Sequence, residues 1–158
     1  MSIILGIDPG TTTTGYALIK KENRKPILLD YGIIETTPKI PLEEKLFELG
    51  ADFKSILEKY SPDLAVVEKL YFTNNIKTGI DVSHARGVIV YKLKKKNINI
   101  LHHTPLELKS AICGNGNAPK RQLQNAIKIL FGLDQIPKPD DAADAIGLAY
   151  MGFLNKKL

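Results

Sequence analysis

Four carboxylates stand where they could do chemistry together: Asp8, Glu68, Asp141 and Asp144. Asp8 closes the apolar run Ile3-Ile4-Leu5-Gly6-Ile7 just before Pro9-Gly10, and Glu68 closes a second, Leu64-Ala65-Val66-Val67. Side chains at the ends of neighbouring strands can project into one crevice. Asp141 and Asp144 lie at i, i+3 at the start of the last helical stretch, which puts both on one face of its first turn. Their repulsion costs helix stability that the helix dipole only partly offsets, and a divalent cation would remove that cost. Hard oxygen donors without histidine or cysteine suit magnesium or manganese. Two such ions can polarise a phosphodiester, activate a water and stabilise the leaving oxygen.

Each acid also has an ordinary reading. Asp8 before Pro9-Gly10 fits a turn, and Lys69 beside Glu68 fits a strand leaving the core for the surface. Asp140 and Asp141 fit dipole partners or caps, and Asp140 with Asp144, at i, i+4, would serve a metal geometrically as well as Asp141 does. The combination of all four at element ends is what favours a shared site.

The elements that must position these groups can be read from apolar spacing and turn residues. Strands are expected at Ser2–Asp8, Tyr16–Lys20 and Leu28–Thr36, joined by short polar turns as an antiparallel meander. Leu46, Leu49, Phe53, Ile56 and Leu57 recur at helical spacing within Leu42–Tyr60, which Ser61-Pro62 ends. Leu64–Val67 is a continuous apolar strand of the kind buried on both faces of a sheet. The spacing then predicts a long helix over Ile76–Lys96, a short strand at Ile98–Leu101 and a helix over Thr104–Ile112, with Thr104 and Glu107 as a capping box. Helices over Pro119–Phe131 and Asp141–Leu154, separated by Gly132 and Pro137-Lys138-Pro139, complete the chain. Strands in a run followed by alternating helix and strand argue an α/β fold: a mixed five-stranded sheet, three antiparallel strands then parallel ones, flanked by helices. The ribonuclease H-like architecture has this order.

The chain has 158 residues, 44% hydrophobic and 25% charged, which fits one ordinary soluble domain over residues 1–158. No secretory leader or membrane-length apolar stretch is visible, so a cytoplasmic address away from membranes is expected. The single cysteine, Cys113, excludes an intrachain disulfide. A net charge of +5 suits a polyanionic partner without identifying one. His102 and His103, adjacent on a strand, point to opposite faces and make a poor metal pair. Lys94-Lys95-Lys96 completes a helix dipole and is left outside the site.

Ile4-Leu5-Gly6-Ile7-Asp8-Pro9-Gly10 with Gly15-Tyr16 resembles the opening of the RuvC family of Holliday-junction resolvases. The resemblance continues through Val66–Phe72, Ala85-Arg86-Gly87-Val88 and Asp141-Ala142-Ala143-Asp144-Ala145, and so spans the chain. It implies a magnesium-dependent endonuclease that resolves four-way DNA junctions by paired nicks, leaving 5′-phosphate and 3′-hydroxyl ends. It also implies Asp8, Glu68, Asp141 and Asp144 as catalytic, metal-binding carboxylates with two Mg2+ per site, for which Mn2+ can substitute. Lys109 and Lys120 match lysines near the scissile phosphate, with Arg121 beside them at a helix start suited to phosphate. Tyr71, with Phe72 adjacent, matches a loop aromatic that stacks on crossover bases. Four-way junction DNA, a homodimer partner packed along the helix carrying Ala85 and Gly87, and a branch-migration helicase complex are the implied partners.

Two other functions start from the same residues. A YqgF-like nuclease would direct the chemistry at RNA precursors. Gly6–Thr12 also resembles the phosphate loop of actin-like and Hsp70-like ATPases, a fold that needs two such domains where this chain has room for one.

Overall fold

The computed structural model describes residues 2–70 and 76–155. Its elements are β1 (Ser2–Asp8), β2 (Thr13–Glu22), β3 (Lys25–Glu35), α1 (Leu42–Tyr60), β4 (Leu64–Glu68), α2 (Ile76–Lys95), β5 (Asn99–His103), α3 (Pro105–Cys113), α4 (Lys120–Phe131) and α5 (Asp140–Leu154). The five strands form one sheet in the order β3-β2-β1-β4-β5. β1 to β3 pair antiparallel, whereas β4 runs parallel to both β1 and β5, the mixed arrangement expected from the sequence.

β2 and β3 extend beyond the apolar segments that mark them. Their ladder runs from Thr13–Glu35 to Glu22–Lys25, so backbone pairing carries the polar ends of the hairpin. The intervening Asn23 and Arg24 have φ of 50° and 63°, which the primed two-residue hairpin turn requires. β5 likewise lies beyond the expected Ile98–Leu101, because pairing with β4 continues through Glu68–His103. α5 begins at Asp140, one residue earlier than its apolar pattern suggests, after a cis Lys138–Pro139 peptide.

Alternation along β1 and β4 divides the core in two. Leu5, Ile7, Leu18, Ala65 and Val67 pack against Leu49, Phe53 and Leu57 of α1 and Ala85, Ile89 and Leu93 of α2. Ile4, Ala17, Ile19, Leu64 and Val66 pack against α3, α4 and α5 on the opposite face. Ala85 is thus fully buried against its own sheet and has no surface to offer a second subunit. Gly87, two residues on, is exposed, and a Cβ there would meet nothing within 4 Å.

α5 is the helix that closes the site, and two glycines let it approach. A Cβ on Gly6 would lie 2.0 Å from the Ala145 carbonyl oxygen, and one on Gly15 would lie 2.0 Å from that of Asp141. Main chain therefore rests on main chain, with Ala142, Ala143, Ala145, Gly147 and Ala149 keeping the helix thin enough to fit. This contact presses the first turn of α5 against the ends of β1 and β2.

Candidate active site

Gly6 and Asp8 share the sheet face that α5 covers, as do Val66 and Glu68. In the parallel pair of β1 and β4, Ile7 lies opposite Val67, so one residue further on the two strand ends hold Asp8 and Glu68 side by side. The turn after Asp8 is closed locally: the Thr14 hydroxyl donates to the Gly10 carbonyl at 2.8 Å and accepts from the Gly10 amide at 3.2 Å. From the other side α5 brings in Asp141 and Asp144, and all four carboxyls interact with one another.

Their electrostatics follow from burial and mutual crowding. Burial, then the charge of Glu68 and a hydrogen bond to it, then Asp144 and Asp141, push the Asp8 carboxyl up to about 11. Asp8 therefore holds a proton and donates it to Glu68. Glu68 is itself raised, first by burial and then by Asp141, although the bond from Asp8 and the charges of Lys120 and Lys109 pull the other way. Burial, then the pull of Lys120 against the push of Glu68, Asp141 and Asp140, leaves Asp144 at about 6. Carboxylates so crowded need positive charge between them to ionise together.

The donor set fits a hard divalent cation: oxygen ligands from two strand ends and one helix turn, withdrawn from solvent. Among the described residues, no three acidic, histidine or cysteine side chains already stand in a metal-holding arrangement.

Lysines edge the cluster. A crevice of about 160 Å3 is lined by Glu68, Lys109, Lys120 and Asp144 together with Pro105, Leu108 and Leu123. Lys120 opens α4 behind Pro119, which provides no side-chain cap, so the Lys120 and Arg121 amides are left to water or an anion, while the Gln122 amide donates to the Pro119 carbonyl at 2.9 Å. Burial lowers the Lys120 pKa, yet its bond to Asp140 and the charges of Asp144 and Asp141 outweigh this and raise it overall. Arg121 is exposed on the same turn and does not line the crevice. Tyr71 and Phe72 lie outside the described residues.

Asp140 has a different task from its neighbours. One oxygen pairs with Lys120 Nζ at 3.1 Å, and the other accepts from Gln124 Nε2 at 2.7 Å. It steadies the lysine rather than joining the carboxylate cluster. Arg86 was not singled out by sequence reasoning. From α2 its Nε donates to the Glu68 backbone carbonyl at 3.0 Å, and its Nη2 donates to Nδ1 of His102 on β5. Burial, then the charges of Arg86 and Lys69, lower the His102 pKa and keep its ring neutral, as an acceptor must be. His103 faces a different partner, Glu107 of the α3 cap, with 3.2 Å between Nδ1 and Oε2.

Comparison with known proteins points to one family. Residues 4–151 match the model of a family described as crossover junction endodeoxyribonuclease RuvC. The chain is 44% identical to the crossover junction endodeoxyribonuclease RuvC of Halothermothrix orenii, over 93% of this chain and 89% of that one. It is 43% identical to that of Petrotoga mobilis, over 94% and 91%. Among solved structures, Thermus thermophilus RuvC in complex with Holliday junction substrate superposes with a TM-score of 0.86 at 26% identity, covering 94% of this chain and 91% of that one. With the family model matched over residues 4–151 and relatives above 40% identity over nearly the full length of both chains, this chain belongs to the RuvC family of crossover junction endodeoxyribonucleases.

Proposed function

We propose that this protein is an endonuclease that resolves four-way DNA junctions by paired symmetric hydrolysis of phosphodiester bonds, one catalytic domain per subunit, in recombination and repair. The observation that carries the reading is the convergence of Asp8, Glu68, Asp141 and Asp144 beside the crevice that Lys109 and Lys120 line. Relatives at this identity bear the name of junction endonucleases, and the Thermus thermophilus protein was solved with a Holliday junction.

In this reading the four carboxylates hold two divalent cations, magnesium with manganese as a substitute. The chemistry such ions supply is neutralisation of phosphate charge, activation of a water and stabilisation of the leaving oxygen. The chain does the rest. Lys109 and Lys120 draw the scissile phosphate into the crevice, Asp140 and Gln124 hold Lys120 on target, and Arg86 fixes the backbone that carries Glu68. Arg121 adds a phosphate contact at the edge, and Tyr71 and Phe72 stack on crossover bases.

A homodimer matches a two-fold junction. Its contact is the outer stripe of α2, where Ile76, Ile80 and Tyr91 are 73%, 50% and 62% exposed and Gly87 leaves room for close approach. A helicase complex that moves the branch point supplies the substrate. Among the described residues no helix is long and apolar enough to cross a membrane, in keeping with a cytoplasmic, DNA-directed role.

The test is to incubate the protein with Mg2+ and three labelled substrates: a four-way junction, a linear duplex of the same sequence and a structured precursor RNA. Religatable nicks placed symmetrically in the junction, lost with chelator, are expected. Cleavage of the RNA alone would move the protein to RNA processing and overturn the junction reading.

A further inference from the structure

The lysine run at the end of α2 does not act as one unit. Lys94 turns toward β5, where it lines a recess with Leu64 and Asn99, the first residues of β4 and β5. Lys92, Lys95 and Lys96 line a different recess, about 320 Å3 in volume, together with Lys54 and Leu57 of α1. Gly50 of α1 makes room for this: a Cβ there would meet Lys92 Cε at 3.4 Å, so the stem of the half-buried Lys92 packs between the two helices. The dipole of α2 accounts for the lysines of its last turn, Lys92, Lys94 and Lys95. It does not account for Lys54, which comes from another helix and converges on the same space. Among the described residues the lining includes no acid. Glu58 stands 3.6 Å from Lys54, but both side chains are more than half exposed and solvent leaves such a pair weak. Like charges gathered around one hollow favour an anion within it.

The recess lies away from the carboxylates in two directions. It sits between α1 and α2, on the sheet face opposite α3, α4 and α5. It also belongs to the end of the sheet where β4 and β5 begin, whereas Glu68 ends β4. From Arg86, which reaches the Glu68 carbonyl, α2 runs on for roughly 14 Å to Lys95. A junction seated over the carboxylates therefore leaves the recess open, as a partner that binds at the same time requires. Shape decides which anion fits. A DNA duplex is a broad convex rod that cannot enter a hollow between two helices. A single acidic side chain can, with its stem against Leu57 and its carboxylate among the ammonium groups.

We propose that this recess docks an acidic segment of a partner protein, which inserts a glutamate or aspartate between α1 and α2 while the junction is held on the other face. That the recess stays open during catalysis rests on the junction-cleaving reading. Its affinity for an acidic chain rests only on Lys54, Lys92, Lys95 and Lys96.

The experiment follows the fluorescence anisotropy of a fluorescein-labelled, glutamate-rich peptide at low ionic strength, with free protein and with protein saturated by a four-way junction in Ca2+. The expected result is binding of equal affinity in both states. Lys92→Glu combined with Lys96→Glu should weaken it at least tenfold, and Lys54→Gln combined with Lys95→Gln by less. Nicking of the junction in Mg2+ should stay within twofold in both, which shows that the variants fold. Lys25→Glu combined with Lys128→Glu, the same change of charge placed elsewhere, should leave peptide binding within twofold. Displacement of the peptide from the wild type by the junction overturns the inference, and this arm needs no variant to fold. Equal losses from the two charge reversals overturn it as well. Weaker binding of linear duplex DNA by the recess variants, with peptide binding unchanged, makes the surface a DNA contact and overturns the proposal. A wild type that binds the peptide yet nicks no junction overturns the underlying reading and supports the docking site.

Discussion

At the residue scale the site is a set of acids held closer than their charges allow, and this has measurable consequences. Asp8→Asn removes the most perturbed group. Cleavage is expected to fall on the order of a thousandfold, the scale of losing a group that stabilises transition-state charge, with junction affinity in Ca2+ nearly unchanged. The same substitution removes the cost of keeping this carboxyl protonated far above its ordinary pKa, so the metal-free variant should melt higher than the wild type at pH 8. The pH dependence follows from the direction of the shifts. Asp144 is raised from 3.8 to about 6, so its contribution to stability is full below about 3.8 and is lost as pH rises through about 6. Asp8 and Glu68, also raised, extend that loss to higher pH. Metal-free protein is therefore expected to lose Tm between pH 5 and pH 8. Mg2+ should restore more at pH 8, where the acids are free to bind it, than at pH 5; equal gains would count against a carboxylate site. Lys120→Ala should slow cleavage about tenfold to a hundredfold, and Asp140→Asn by less, since Lys120 loses only its tether.

The meeting of the acids could be anticipated from the sequence because Asp8 and Glu68 each end an apolar run while Asp141 and Asp144 share a helix face, although each alone also had an ordinary use. The division of labour within Asp140-Asp141 was not. Both spacings to Asp144 suit a helix face, and only the placement of Lys120 and Gln124 across from α5 shows which of the two is turned away. Arg86 stood in the sequence only as part of the family-like segment Ala85–Val88, with nothing local to show its task, because its partners lie 18 and 16 residues away along the chain.

At the scale of elements, order and type were legible throughout, while edges were not. Ladder pairing extends β2, β3 and β5 past the residues whose hydrophobicity announces them. The position of α5 depends on Gly6 and Gly15, whose role is the absence of a side chain. Gly15→Ala should force the first turn of α5 outward, costing about 1–3 kcal/mol by overpacking and lowering activity further than stability, as read by urea denaturation beside cleavage rate. Arg86 ties α2 to Glu68, so Arg86→Gln is expected to lower kcat and raise the Mg2+ concentration at half-maximal rate, with KM for the junction unchanged. Arg86→Lys should recover part of the loss, since a lysine can reach one acceptor but not both.

At the scale of the whole molecule, the two sheet faces serve different ends. α3, α4 and α5 build the site on one face, while α1 and α2 complete the core on the other and leave the outer stripe of α2 open. Ile80→Glu should yield monomers in sedimentation and convert paired nicks into single, unsynchronised ones. A dimer that survives this change would place the contact elsewhere.

The seating of α5 on bare backbone at Gly6 and Gly15 carries one more consequence. Most sites inherit their dimensions from packed side chains, which repack when a neighbour changes or the temperature rises. Here the gap between strand-borne and helix-borne acids is gauged by peptide groups in direct contact, so the enzyme carries a ruler with no adjustable part. Drift elsewhere in the core can wear at its stability for a long time before it alters the spacing of the acids.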